Sequence, residues 1–269
     1  MELITSRRNP LVGRLRALHQ SKGRREQGLL LLEGTHQLQE LLRLGLLPEQ
    51  LLATPAWLER HGSLLEGLAD DACLQPVGEA VLAAVATTET PDGVVATLRQ
   101  EALPKTQGLG SFVLALDQLQ DPGNLGTLMR TALAAGVDDL WLGGGADPCQ
   151  PKVLRASAGA ALALPHWRGL DRAALGERVA KARAAGHQVV ASLVDPAETH
   201  PYWELDWTRP TVLLLGNEGA GLHPELAALA SHQVNIPHST AVESLNVGVA
   251  AAPLLLERWR QQHNLGLGG

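Results

Sequence analysis

Four short apolar runs constrain the fold more than any other feature of this sequence: FVLAL at 112–116, DLWL at 139–142, QVVASLV at 188–194 and TVLLL at 211–215. A strand with one wet face alternates apolar and polar residues. These runs are continuous, so both faces are expected to be covered. Helical patterns separate them, and that succession predicts an α/β fold built on a parallel sheet with helices on each side. In the first of those helices Leu125, Leu128, Met129, Ala132, Leu133 and Gly136 fall on one stripe at three- and four-residue spacing, and Arg130 lies off it.

The segment RQEALPKTQGLGS, with Pro104, Gly108 and Gly110 and no apolar periodicity, predicts a linker over 105–110. Ahead of it, residues 1–104 read as a smaller α/β unit. A basic helical stretch runs from about Pro10 to Gln20, followed by the apolar run Leu29–Leu32, helical spacing over Gln37–Leu44, and short apolar segments near Leu51, Leu74 and Val94. Residues 111–269 form the second domain. Its last helix, from about Ser244 to His263, contains Pro253, where a kink is expected, and the tail LGLGG is expected to fray.

With 45% apolar and 19% charged residues the chain has a globular composition, which excludes wholesale disorder. The longest apolar stretch, Leu245 to Leu256, is interrupted by Asn246, Gly248 and Pro253, so no membrane span is expected. The arginine-bearing start is not a secretory signal, which makes the cytoplasm the expected compartment. Cys73 and Cys149 share no paired spacing and are expected to be buried free thiols, and the ten histidines include no metal-binding pair. The net charge of -6 is uneven. Residues 1–28 carry Arg7, Arg8, Arg14, Arg16, Lys22, Arg24 and Arg25 against Glu2 and Glu26, a net +5. Such a segment is either an electrostatic footprint for nucleic acid or a solvated helix face.

Three segments at predicted strand ends carry residues suited to chemistry. In DQLQDPGNLGTLMR, Asn124 stands where a helix N-cap is wanted. Arg130 stands about 9 Å further up the axis at 1.5 Å per residue, leaning back toward the strand-end crevice where parallel sheets bind ligands. In LLLGNEGAGL, Glu218 is held among Gly216, Gly219 and Gly221, a pattern that is neither a dinucleotide fingerprint nor a Walker loop. In VNIPHSTAVESLNVGVAA, Ser244 is placed to cap the last helix and Asn246 falls in its first turn. No G-x-S-x-G elbow surrounds Ser157, Ser192 or Ser244, so a serine hydrolase has little support. Taken singly, each segment is also explained as an ordinary turn before a helix.

Taken together and in this order, DPGNLGTLMRTALAAG, LLLGNEGAGL and NIPHSTAVESLNVGVAA resemble the three motifs of SpoU-type RNA ribose 2'-O-methyltransferases of the SPOUT superfamily. LLEGTHQLQELL near residue 32 resembles the ribosomal-protein-like RNA-binding domain that many of these enzymes carry in front. The resemblance implies a knotted SPOUT domain over 111–269, a smaller RNA substrate-binding domain over 1–104, and pairing into homodimers. It implies a pocket for S-adenosyl-L-methionine at Gly216, Ile236 and Leu245, and a catalytic group of Asn124, Arg130, Glu218, Ser244 and Asn246. His238 and Thr240 stand where Met and Gly are common in the family, Gly248 where Ser is frequent, and Pro253 is unusual in that helix.

The implied reaction moves a sulfonium methyl group onto a ribose 2'-hydroxyl of structured RNA, ribosomal in preference to transfer RNA. A guanidinium ordinarily keeps its proton, so Arg130 is expected to orient the hydroxyl and stabilise the developing alkoxide, with Glu218 and Asn124 fixing it. Ser244 and Asn246 are expected to hold the motif loops. The other reading is an RNA-binding module that keeps the fold without catalysis. Only eight aromatic residues are present, six of them Trp, which favours recognition through phosphates and shape over extensive base stacking.

Overall fold

A computed structural model describes residues 2–66, 68, 73–194 and 199–263; the tail LGLGG lies outside them. The chain forms two compact units, one of Met1–Leu103 with Cys149–Ala163, the other of Pro104–Pro148 with Leu164–Gly269. The excursion of Cys149–Ala163 into the first unit has no counterpart in the linear division at 105–110.

In the first unit, helices α1 (Pro10–Arg16) and α2 (Ser21–Gln27) precede β1 (Leu29–Glu33), α3 (Thr35–Arg43), β2 (Gln50–Ala53), α4 (Pro55–His61), β3 (Leu74–Pro76), α5 (Glu79–Val85) and β4 (Val94–Arg99). The strand order is β1-β4-β2-β3, with β4 antiparallel to both β1 and β2 and β3 parallel to β2. Val12 and Leu15 of α1 meet Leu31, Leu52 and Val95 of the strands and Val81 of α5 in one apolar cluster. Two short helices, α7 (Pro151–Ala156) and α8 (Ala160–Ala163), complete this unit. Arg155 of α7 donates to Glu33 at 2.8 Å, and that buried carboxylate also accepts the backbone N–H groups of Thr87 at 2.9 Å and Thr88 at 3.2 Å.

The basic front divides in two. Arg7, Arg8, Arg14, Arg16, Lys22 and Arg25 are exposed, whereas Arg24 is only 3% exposed and donates to the carbonyls of Leu18 at 2.8 Å and His19 at 3.0 Å. Arg24 therefore closes the turn between α1 and α2 and does not face a phosphate. Cys149 is buried as expected, but Cys73 is only half-buried.

The second unit contains β5 (Phe112–Asp117), α6 (Pro122–Ala134), β6 (Asp139–Gly143), β7 (His166–Trp167), α9 (Arg172–Ala184), β8 (Gln188–Ser192), β9 (His200–Pro201), β10 (Thr211–Leu215), α10 (Pro224–Ala227), β11 (His232–Asn235) and α11 (Val247–His263). Its strands order as β7-β6-β5-β10-β8-β11-β9, every pair parallel. The doubly covered sheet expected from the apolar runs is present, although the third run leaves the sheet at Ser192 and exposes Val194. Val113, Ala115, Val212 and Leu214 face Leu175 and Val179 of α9 and Leu226 of α10. Period-two alternation turns Phe112 to the other face, where the Arg258 guanidinium of α11 lies 4.5 Å from its ring centroid. The stripe on α6 is buried through Ala132 and emerges at Leu133, which is 38% exposed. Helix α11 runs through Pro253 to His263. No described helix is long and apolar enough to cross a membrane.

Arg258 is 2% exposed and has no carboxylate bonded to it among the described residues. It donates to the carbonyls of Trp207 at 2.5 Å and Arg209 at 2.6 Å, just before β10, and to that of Ser111 at 3.3 Å, just before β5. Burial pulls its pKa below the ordinary guanidinium value, and the Asp138 charge works in the opposite direction. Removing it strands several buried carbonyls, so Arg258→Leu is expected to cost about 2–3 kcal/mol, at about 1.5–3 kcal/mol for charged hydrogen bonds. The readout is a thermal midpoint lower by roughly 5–10 °C.

Candidate active site

The C-terminal ends of β5, β10 and β11 lead into the three motif segments. After Asp117 the backbone turns through Gln118, a non-glycine residue at φ 51°, and α6 then begins with Pro122. The N-cap is Asp121, whose carboxylate accepts from Asn124 N at 2.8 Å. Asn124 therefore does not cap, contrary to the expectation from its position. Pro122 at the first helical position moves the cap one residue ahead of itself and leaves the Asn124 amide free for other bonds.

Those bonds join the motifs. Asn246 donates from Nδ2 to Asn124 Oδ1 at 3.0 Å, and Asn124 Nδ2 donates to Glu218 Oε1 at 3.3 Å. Glu218 also accepts the backbone N–H groups of Gln120 at 3.1 Å and Asp121 at 3.0 Å. Burial pushes its carboxyl upward, but the Asp121 and Gln120 N–H groups and the Asn124 amide outweigh that and hold the pKa below the ordinary glutamate value. The carboxylate acts here as an ionised acceptor that fastens one loop to another.

The loop after β10 is closed by reciprocal backbone bonds between Asn217 and Gly221, at 2.9 and 3.0 Å. The Asn217 side chain adds further bonds: Oδ1 accepts from Gly219 N at 2.9 Å and Ala220 N at 3.1 Å, and Nδ2 donates to the carbonyl of the left-handed Gln118 at 2.8 Å. Gly216 is required by the loop itself, since a Cβ there would stand 2.1 Å from both Gly221 C and Leu222 N. The close approach inferred for a ligand is in the first place an approach of the chain's own backbone.

On the third segment, Ile236 is half-buried and its carbonyl lies 2.7 Å from His238 Nδ1, while Leu245 is half-buried and Ser244 exposed. Asn246 caps α11, accepting from Gly248 N at 2.9 Å and Val249 N at 3.3 Å. Ser244 does not cap it, because α11 begins only at Val247. Arg130 is exposed and makes no hydrogen bond or ion pair with any described residue, so neither Glu218 nor Asn124 holds it.

Two positions that organise these loops do not emerge from the sequence alone. There Asn217 reads as one residue of a glycine turn, although its side-chain and backbone bonds organise the loop. Asp117, 1% exposed at the end of β5, accepts from Arg172 Nε and from His223 N, each at 3.2 Å. An aspartate closing an apolar strand is the one signal that points to it.

The residues fit an S-adenosylmethionine pocket. Asn235 Oδ1, buried beside Ile236 at the end of β11, has no hydrogen-bond partner among the described residues and offers an acceptor to a ligand. Gly216, Ile236 and Leu245 lie on the segments that follow β10 and β11. Among the described residues no group of three His, Cys, Asp or Glu side chains is assembled in a way that holds a metal.

Residues 111–256 match the model of the SpoU rRNA Methylase family, and residues 9–96 that of the MRM3-like substrate binding domain. An uncharacterised tRNA/rRNA methyltransferase of Synechocystis sp. is 45% identical, covering 96% of this chain and 94% of its own. The 23S rRNA (guanosine(2553)-2'-O)-methyltransferase RlmP of Bacillus subtilis is 34% identical, covering 95% and 98%. An AdoMet-bound rRNA methyltransferase from Sinorhizobium meliloti, known from its crystal structure, is similar at a TM-score of 0.81 and 34% identity, over 97% of this chain and 98% of that one. With more than half of its length matched by the family model and a relative this similar along nearly all of it, the chain belongs to the SpoU rRNA methylase family.

Proposed function

We propose that this protein transfers a methyl group from S-adenosylmethionine to a ribose 2'-hydroxyl of structured RNA, ribosomal in preference to transfer RNA. The hydrogen-bonded series Asn246–Asn124–Glu218, which ties the three motif segments together, carries the reading. The Bacillus relative named for 2'-O-methylation of 23S rRNA and the AdoMet-bound Sinorhizobium structure support the substrate and the cofactor.

The cofactor, when bound, supplies an electrophilic methyl group. A ribose hydroxyl is a poor nucleophile until its oxygen is oriented and its developing charge stabilised. Arg130 does both, because a guanidinium keeps its proton and is free to donate to that oxygen. The hydroxyl proton leaves to a phosphate oxygen or to water. Asn124, Glu218 and Asn246 hold the loops that frame the reaction, and Ser244 lies on the loop leading into α11. Gly216, Ile236 and Leu245 contribute backbone to the cofactor pocket.

The same reading includes a trefoil knot, a cytoplasmic setting, a division into a substrate-binding domain at 1–104, a linker at 105–110 and a methyltransferase domain at 111–269, and homodimerisation. A second copy suits one surface in particular: Val249 (61% exposed), Leu256 (47%) and Trp259 (42%) project at helical spacing along α11 and leave an apolar stripe uncovered. The exposed arginines of α1, α2 and the turn before α1 serve as the RNA footprint of the front unit.

Calorimetry with S-adenosylmethionine, followed by mapping of 2'-O-methyl positions in RNA from cells lacking the protein, tests the function. A non-catalytic RNA-binding module would bind RNA and not the cofactor. Arg130→Ala is expected to lower methyl incorporation by about 100- to 1,000-fold, as for removal of a charge-stabilising donor, with a thermal midpoint close to the parent's. Near-normal turnover in that folded variant would remove Arg130 from the mechanism. Replacing Arg7, Arg8, Arg14, Arg16 and Arg25 with Gln spares the buried Val12, Leu15 and Leu18 that a truncation would remove. It should weaken RNA binding and flatten its salt dependence by about 0.7–0.9 in the log–log slope for each phosphate that an arginine no longer neutralises. Cofactor affinity should be retained; an unchanged slope would mean that these arginines only solvate their helices.

A further inference from the structure

Arg172 is the first residue of α9, and α9 is capped by Asp171, which accepts from Ala174 N. A cation at this end of a helix is opposed by the macrodipole and by the unpaired N–H groups of the first turn. Its charge is offset by Asp117, a carboxylate buried on the α9 side of the sheet and shared between Arg172 Nε and His223 N, each at 3.2 Å. An arginine kept only for an ion pair usually presents its two-pronged edge to the carboxylate. Here Nε alone is engaged. Both Nη groups are without a hydrogen-bond partner among the described residues, on a side chain that is 31% exposed.

The position of this pair in the fold points the same way. Asp117 immediately precedes the Gln118–Asp121 segment whose backbone holds Glu218 and Asn217, and His223 immediately follows the loop those two residues organise. The Arg172 guanidinium is thus anchored from behind, at the C-terminal edge of the sheet, beside the first two motif loops. Its free edge keeps donors available for a negatively charged oxygen group.

Resting on the RNA methyltransferase reading, we propose that Arg172, positioned by Asp117, binds a backbone phosphate of the RNA substrate at this edge. The contact fixes the strand relative to the motif loops and carries no base information.

The test measures binding of an unmodified 23S rRNA transcript across a series of salt concentrations, together with calorimetry for S-adenosylmethionine, on the parent and two variants. Arg172→Met keeps the length of the side chain and removes its charge. Asp117→Asn with Arg172→Met also removes the carboxylate that the first change would strand, while leaving an oxygen to accept from His223 N. Both variants are expected to bind the transcript about tenfold more weakly, as for one charged hydrogen bond, and to lower the salt slope by about 0.7–0.9. Cofactor affinity is expected to match the parent's. A parent that binds RNA alongside folded variants that keep its slope and affinity overturns the phosphate assignment and leaves the enzymatic reading standing. Loss of cofactor affinity at an unchanged RNA slope overturns it in favour of the cofactor's carboxylate. A parent that binds neither RNA nor cofactor overturns both readings together.

Discussion

The in-register parallel pairing of β5 with β10, Phe112 against Thr211 through Leu116 against Leu215, is the constraint on which the site depends. Two parallel strands that end at the same level must release their loops side by side. The turn at Gln118 and the loop at Gly216 therefore meet without any feature of their own bringing them together. Once they meet, their polar groups are partly withdrawn from water and must find partners. Asn217 and Glu218 supply those partners from one side, and the Gln118 carbonyl with the Gln120 and Asp121 N–H groups supply them from the other. Arg258 secures the same two strands at their opposite ends by gathering the carbonyls that precede them.

Under the proposed mechanism, this arrangement separates holding from reacting. Glu218, Asn124 and Asn246 commit their hydrogen-bonding capacity to one another and to backbone, which leaves them little freedom to move with a substrate. Arg130 commits none of its capacity to described residues and stands on a helix anchored by the buried Leu125, Leu128, Met129 and Ala132. A preorganised frame with one uncommitted cation suits stabilisation of charge that appears only during reaction.

The strands of the second unit are legible because burial on both faces leaves continuous apolar runs, and the stripe on α6 because a helix repeats every 3.6 residues. The caps are ambiguous for a local reason. Asp121 and Asn124, like Ser244 and Asn246, are all good capping residues, and only the start of each helix chooses between them. Pro122 contains that information for α6, and nothing comparable stands before α11. The pairing of Asp117 with Arg172 spans 55 positions, and the bond between Asn246 and Asn124 spans 122, so neither has a local signature. Arg24 groups with its basic neighbours in any charge count, because such a count does not register which side of a two-turn helix faces inward. The excursion of Cys149–Ala163 is invisible in the sequence because an apolar helical segment does not state which sheet it will cover.

That excursion has a consequence for synthesis of the chain. The unit that begins at the N-terminus is finished by α7, which packs against β1 and brings Arg155 to Glu33, and by α8, which packs on α7. The 45 residues Pro104–Pro148 of the second unit are translated before that piece emerges, on the order of several seconds at roughly 5–20 residues per second. During that interval the first unit waits with Glu33 lacking its guanidinium and one side of β1 uncovered. Its folding cannot close before the opening segment of the other unit has been made, and the two are bound into a common schedule even though each has its own sheet and its own core.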